Sequence, residues 1–288
     1  MLGAIIGDIV GSTFEAENHR SPFFELFRKE ARFTDDTVCI AAVTEILDRY
    51  YPEQLTHDNI SNALRIWCCT YFNRGFGSIF QQWIINGVNK PYDSYGNGAL
   101  MRISPVAYFS IKNNLSKEEA LSIAEKITVI THNHPDAVNA VKCYIDILYS
   151  ILDYKKNNNN EIILEYAKNI IIEKMQLYNY VEPLTINKYR VTLGFDLTCE
   201  TSLSIAVSAI LETQTFDDVL YQVVSVGGDS DTYAAIAGAM AECIYGIPDG
   251  YLEKIKPYFR EYDKDILEIM NNLYSENTPM ITVKEVEL

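Results

Sequence analysis

From Ser230 to Ala241 the chain is built almost wholly of small residues and is entered through the pair Gly227-Gly228. A helix of Ala and Gly lets a neighbouring backbone approach closely, so this stretch predicts a central, buried helix. Its start is crowded with Asp229, Asp231 and Thr232. Burying an unpaired carboxylate costs several kcal/mol or more, on the order of the penalties known for unpaired buried charges. Two readings of this start are open. Asp, Ser and Thr cap helices and suit the positive end of the helix dipole; the same oxygens also ligate metal ions.

A second stretch rhymes with the first. Phe33-Thr34-Asp35-Asp36-Thr37 opens an apolar helix over Val38 to Tyr50, with Cys39, Ala42, Val43, Ile46 and Leu47 on one face. If the two helix starts meet, four aspartates and two threonines converge. Like charges so close do not all stay ionised without cations. Hard oxygen donors in that number suit two Mg²⁺ or Mn²⁺ ions sharing carboxylates.

The remaining chain bounds the answer. Its 288 residues, 48% hydrophobic, are ample for a core, and its net charge of -15 argues against binding a nucleic-acid backbone. Six scattered cysteines without a CxxC pair read as free thiols of a reducing compartment. No apolar run is long enough for a membrane span, and the first residues lack a signal peptide's basic region. A cytoplasmic protein is expected.

Helical patterns cover most of the sequence. They are expected at 2–10, 57–72, 78–86, 117–131, 136–152, 161–176, 200–213, 216–226, 232–245 and 249–274, the last followed by a polar tail. Residues 16–32 and 92–98 read as loops, Lys155 to Asn160 as an exposed connection, and Tyr189 to Thr192 as too short for a strand. The class is all-α, with one domain over 1–288, because both acidic motifs must be reached from opposite ends of the chain.

Three further stretches carry possible chemistry. Asp8, between Gly7 and Gly11, suits a buried cap or an anchor for the next loop, and Glu15 ends the same segment. Asp93 to Arg102 offers Gly96 and Gly98 to free backbone N–H groups, Ser94 and Asn97 to donate to oxygen, and Tyr95 to stack on a base. Taken alone, an ordinary Asn-Gly turn is the better reading of that loop. Thr131 to Asp136 joins two helices and holds His132 and His134, with no zinc-ligand spacing nearby.

Taken in order, Gly7 to Gly11 through Glu15, Phe33 to Thr37, Tyr95 to Arg102 with Pro105, Thr131-His132, and Gly227 to Thr232 through Gly238 closely resemble the ADP-ribosylglycohydrolase family. The resemblance implies a single-domain orthogonal helix bundle with a central binuclear Mg²⁺ or Mn²⁺ site. By motif position, it makes Thr34, Asp35, Asp36, Asp229, Asp231 and Thr232 metal ligands. Glu15 matches a mobile glutamate at the metal site. Ser94, Tyr95, Gly96, Asn97, Gly98 and Met101 match the loop holding the diphosphate and riboses, and His132 faces the same ligand. Residues 86–92 lack the phenylalanine some relatives set against adenine, which leaves Tyr92 or Tyr95 for it.

The implied reaction is hydrolysis of the bond between C1″ of the distal ribose of ADP-ribose and an acceptor, on an ADP-ribosylated protein or small molecule. Glu15 and Asp36 are the candidate bases. Two alternatives stand beside it: a non-catalytic relative, crystallin-like or ADP-ribose-binding, and a two-metal phosphohydrolase. The full ligand set argues against the first.

Overall fold

Helix follows helix through residues 1–159 and 161–273, which the computed structural model describes. In chain order they are α1 (Leu2–Gly11), α2 (Asp35–Tyr50), α3 (His57–Thr70), α4 (Ser78–Asn86), α5 (Pro105–Lys112), α6 (Lys117–Thr128) and α7 (Pro135–Asn157). There follow α8 (Leu164–Leu177), α9 (Ile186–Thr192), α10 (Cys199–Glu212), α11 (Phe216–Val224), α12 (Ser230–Tyr245), α13 (Tyr251–Ile255) and α14 (Lys264–Leu273). No strand occurs among the described residues; a lone antiparallel bridge joins Gly96 to Thr198. The fold is all-α, as expected.

The small-residue helix is the axis of the bundle. α12 is buried from Ser230 to Ile244, and α1 is buried along its whole length against it, the most extensive helix pair among the described residues. The glycines make this approach possible. A Cβ on Gly7 would fall inside the carbonyl of Ala234, and one on Gly3 inside that of Gly238. Such contact fixes α1 and α12 with backbone against backbone. α10, α11 and α7 complete the wall around α12, while α2 packs on α3, α5 and α1.

Local chemistry sets the helix ends. Thr34 caps α2 through Asp36 N, Ser116 and Glu119 form a reciprocal capping box on α6, and Pro135 opens α7 behind His134. Lys155 caps from a distance: its ammonium donates to the carbonyl of Cys243 at the end of α12.

Two expectations are corrected, and two helices, α9 and α5, were not foreseen. Lys155 is buried inside α7, which runs on to Asn157, so the exposed connection starts later than the Lys-Asn composition suggested, and Asn160 lies outside the described residues. The helix over 249–274 breaks in two, because Pro257 has no N–H to give and its ring clashes with the preceding turn; a short 3-10 turn occupies Lys256–Tyr258. Tyr189 to Thr192 belongs to α9, a two-turn helix. α5 was not foreseen at all, since it is apolar and buried on every side up to Ile111 and shows no period. The tail from 274 lies outside the described residues.

Candidate active site

Both acidic helix starts open into one cavity of about 390 Å³. Thr34, Asp35 and Asp36 reach it from α2, and Asp229, Asp231 and Thr232 from α12; Glu15 closes one side. Two glycines in left-handed conformation, Gly227 and Gly228, turn the chain into α12, with Asn18 Oδ1 accepting from Gly228 N at 3.0 Å. Thr232 Oγ1 donates to Asp36 Oδ2 at 3.2 Å, and Thr34 Oγ1 stands 3.3 Å from the same oxygen. The two starts therefore touch.

Two sets of three carboxylates have oxygens within 4.8 Å of one another: Asp8, Asp36 and Asp231, and Glu15, Asp229 and Asp231. Asp231 belongs to both. Asp8 is the member the sequence offers as a buried cap or a loop anchor, and it serves as both, from α1 to the start of α2. Its oxygens accept from Thr34 N at 2.9 Å, Thr34 Oγ1 at 2.7 Å and Thr37 N at 3.1 Å, and also from Thr37 Oγ1. It lashes α1 to the start of α2, and its lone pairs are largely spent. Asp35 lines the cavity but joins neither set.

Burial first, then mutual repulsion, pushes the carboxyls of Asp36 and Asp229 well above their ordinary range and Asp231 up to about 6. Glu15 rises for the same reasons, with Asp231 repelling it and Arg32 working the other way. One oxygen, Asp36 Oδ1, is buried with no hydrogen-bond partner among the described residues. An orphaned carboxylate oxygen inside an all-oxygen donor set is what a hard divalent cation takes. The donor set fits Mg²⁺ or Mn²⁺.

The opposite wall is the loop before α5. Ser94, Gly96, Asn97, Gly98, Met101 and His132 all line the cavity. Arg102, fully buried, donates to Thr131 Oγ1 at 2.7 Å, and Thr131 Oγ1 lies 2.7 Å from His132 Nδ1. Arg102 Nη2 also stands 3.5 Å from Nδ1, and a guanidinium can only donate, so an accepting Nδ1 with the ring proton on Nε2 suits both neighbours. Burial, with Arg102 adding to it, holds the imidazole well below its usual pKa, so it is neutral. Nε2 lies 3.3 Å from where a Cβ on Gly98 would stand. Gly98 thus leaves room for a ligand oxygen to meet a donor.

One expected residue lies outside the cavity, and another is already engaged within it. Tyr95 is absent from the cavity lining; its ring meets His134 edge-on at 5.3 Å and is half exposed. Asn97 lines the cavity but commits its amide nitrogen to Asp229 Oδ2 at 2.6 Å and Ser202 Oγ at 3.1 Å. It ties the glycine loop to the acidic start of α12. Sequence reasoning missed Arg32 and Arg74 on the acidic side, and Phe195 and Leu197 beyond the glycine loop. Phe195 stands between Leu193 and Leu197 in the short connection from α9 to α10, where no helical period marks it.

The model of the ADP-ribosylglycohydrolase family matches residues 1–280. The chain belongs to this family. Among its relatives, an ADP-ribosylarginine hydrolase, Tri1, of Pseudomonas putida is 25% identical over 88% of this chain and 72% of its own. The ADP-ribosyl-[dinitrogen reductase] glycohydrolase of Rhodospirillum rubrum is 28% identical over 56% of this chain and 50% of its own. A solved structure described as an ADP-ribosylglycohydrolase-related protein complex superposes with a TM-score of 0.67 at 18% identity, covering 96% of this chain and 95% of that one. That likeness shows the fold.

Proposed function

We propose that this family member is a metal-dependent hydrolase that removes ADP-ribose from an acceptor, the whole chain serving as one domain. The observation that carries this reading is the meeting of the two acidic helix starts opposite a glycine loop and a neutral histidine in one cavity. In it, Thr34, Asp35, Asp36, Asp229, Asp231 and Thr232 hold two Mg²⁺ or Mn²⁺ ions. Bound there, the ions keep the carboxylates ionised, orient the ribose hydroxyls and make a nearby water more acidic. Gly96 and Gly98 give the diphosphate close approach to the backbone, and the Nε2–H of His132 donates to it.

Hydrolysis breaks the bond from C1″ to the acceptor. The oxygen of water joins C1″, one of its protons passes to the base, and the acceptor leaves with a proton. Glu15 is suited to be that base: its raised pKa brings proton transfer nearer to neutral pH, and it borders the acidic cluster from the exposed side. Asp36 is the second candidate, but two hydroxyls already face its Oδ2. The six cysteines, all unpaired, suit a cytoplasmic setting.

An arginine-linked substrate is the first to try, following the relative from Pseudomonas putida. The chain should release free ADP-ribose from it with Mg²⁺ or Mn²⁺ and stop in chelator. Release of AMP in its place would make the chain a phosphohydrolase. ADP-ribose binding without turnover on arginine-, serine- and base-linked substrates would make it a non-catalytic relative.

A further inference from the structure

Glu15 is an exposed residue on a turn, yet one of its oxygens lies within 4.8 Å of one from Asp229 and one from Asp231. Asp231 repels it. A carboxylate so placed swings outward unless the turn itself is held. At its root the turn is fixed by Phe14, which is fully buried against His19 and Phe24 and has the Arg28 guanidinium 4.0 Å from its ring centre. Two backbone bonds close it: Asn18 N–H donates to the Glu15 carbonyl at 3.1 Å, and His19 N–H to that of Phe14 at 3.4 Å.

The far corner of the turn is Asn18, in left-handed conformation at φ 47°, which asparagine adopts more readily than other residues with a Cβ. Its Oδ1 accepts from Gly228 N at 3.0 Å. Gly228 directly precedes Asp229, so this bond joins the turn that carries Glu15 to the turn that carries the aspartates. The fit is close: a Cβ on Gly227 would stand 2.5 Å from the same Oδ1 and 3.2 Å from Arg20 Nε. Arg20 in turn anchors the corner to the end of α9. Its Nη1 donates to the Arg190 carbonyl at 2.6 Å and its Nη2 to the Leu193 carbonyl at 2.8 Å, with Asn18 Oδ1 3.4 Å from Nη2.

We propose that Asn18 is a positioning residue for the hydrolysis, holding Glu15 against Asp229 and Asp231 through its bond to Gly228 N. This rests on the hydrolase reading above, in which Glu15 is the base. The two sides of the bond are not equally mobile. The start of α12 has supports of its own, since Ser230 Oγ donates to the Gly11 carbonyl at 2.9 Å and Asp229 and Asp231 are buried. The Glu15 turn is exposed, so losing the bond releases Glu15 and leaves the aspartates in place. Neither Asn18 nor Arg20 is among the described residues that line the cavity, so substrate binding does not depend on them. Loss of one neutral hydrogen bond shifts a local equilibrium by up to about tenfold, and a misplaced catalytic group slows the chemical step.

The test is Asn18→Gly, which keeps the left-handed backbone and removes the acceptor. On an ADP-ribosylarginine peptide its kcat should fall about tenfold at unchanged KM. Asn18→Asp, which restores the acceptor, should recover at least half of the wild-type kcat. In a Glu15→Gln background Asn18→Gly should change nothing more, because the group it positions is already lost. A wild-type kcat in Asn18→Gly, an Asn18→Asp no better than it, or the same tenfold loss on top of Glu15→Gln would overturn the assignment. Should the wild type release no ADP-ribose, the hydrolase reading fails separately, and hydrogen exchange decides for Asn18. The amides of residues 14–19 should then exchange about tenfold faster in Asn18→Gly than in the wild type; equal exchange sinks the positioning role as well.

Discussion

The hydroxyl of Thr232 donates to Oδ2 of Asp36 at 3.2 Å across 196 positions of sequence. That one bond brings the N-termini of α2 and α12 together, and both helices point their positive ends at the same place. Even so, the helix dipoles and hydroxyls do not neutralise the cluster. Asp36 keeps an orphaned oxygen and a pKa raised by burial and by four neighbouring aspartates. The site is built at the expense of the metal-free fold.

Divalent metal should therefore stabilise the protein. At a concentration about 100 times Kd, a ligand of the folded state adds about 2.7 kcal/mol, or roughly 5 °C in Tm for a chain of this size. Thermal melts with Mg²⁺ or Mn²⁺ against chelator check this. Asp36→Asn should raise the metal-free Tm and shrink the metal-induced rise. A wild type indifferent to both ions would remove the metals from the reading.

The same repulsion gives a pH signature in chelator. A carboxyl with a raised folded pKa binds its proton more tightly in the folded chain. Its contribution is present at low pH and is lost as pH rises, for Asp231 between 3.8 and about 6. The urea midpoint of metal-free wild type should thus fall relative to Asp231→Asn across that window, and saturating Mg²⁺ should cancel the fall. A difference that stays flat or climbs with pH counts against it.

The axis of the bundle can be tested through Gly7. Its missing Cβ is where the Ala234 carbonyl lies, and backbone cannot rotate aside as a side chain can. Gly7→Ala should cost about 3 kcal/mol, the upper part of the usual overpacking range, and also displace Asp8 from α2. Gly194→Ala, with nothing within 4 Å, should stay within about 0.5 kcal/mol. Urea unfolding of the two variants compares them directly.

What was legible in the sequence was the chemistry that local structure cannot explain. Two acidic starts on two apolar helices demanded a common answer, and the small residues of α12 announced its burial. What was not legible depends on long-range packing. α5 has no polar face to set a period, α9 is too short for one, and Asp8 could not be counted in the cluster before α1 was seen against α2. Asn97 looked free to serve a ligand until Asp229 took its amide. Tyr95 and Phe195 are both aromatics in loops, and only the fold tells which faces the cavity.

That choice is measurable. Phe195 lines the cavity on an exposed edge, while Tyr95 leans on His134. If a base stacks on Phe195, Phe195→Ala should raise KM about tenfold or more, within the range of about 1–3 kcal/mol for base stacking. Tyr95→Ala should change it less than twofold. The reverse ranking would return the base to Tyr95.

Glu15 is the residue that a structural role explains least. It is exposed, its own side chain supports no helix, and its carboxylate lies within 4.8 Å of Asp229 and Asp231. Repulsion from Asp231 and attraction to Arg32 pull it in opposite directions, so a change in nearby charge moves the balance. Glu15→Gln keeps the shape and removes only the charge and the basicity. Folding and ADP-ribose binding should therefore be normal, and Tm unchanged or slightly higher in chelator as one repulsion disappears. Hydrolysis should drop about 10²-fold or more, the scale of a lost general base. Single-turnover assays separate this from slow product release. A variant that hydrolyses at the wild-type rate would make Glu15 a bystander and leave Asp36, despite its two hydroxyl neighbours, as the base.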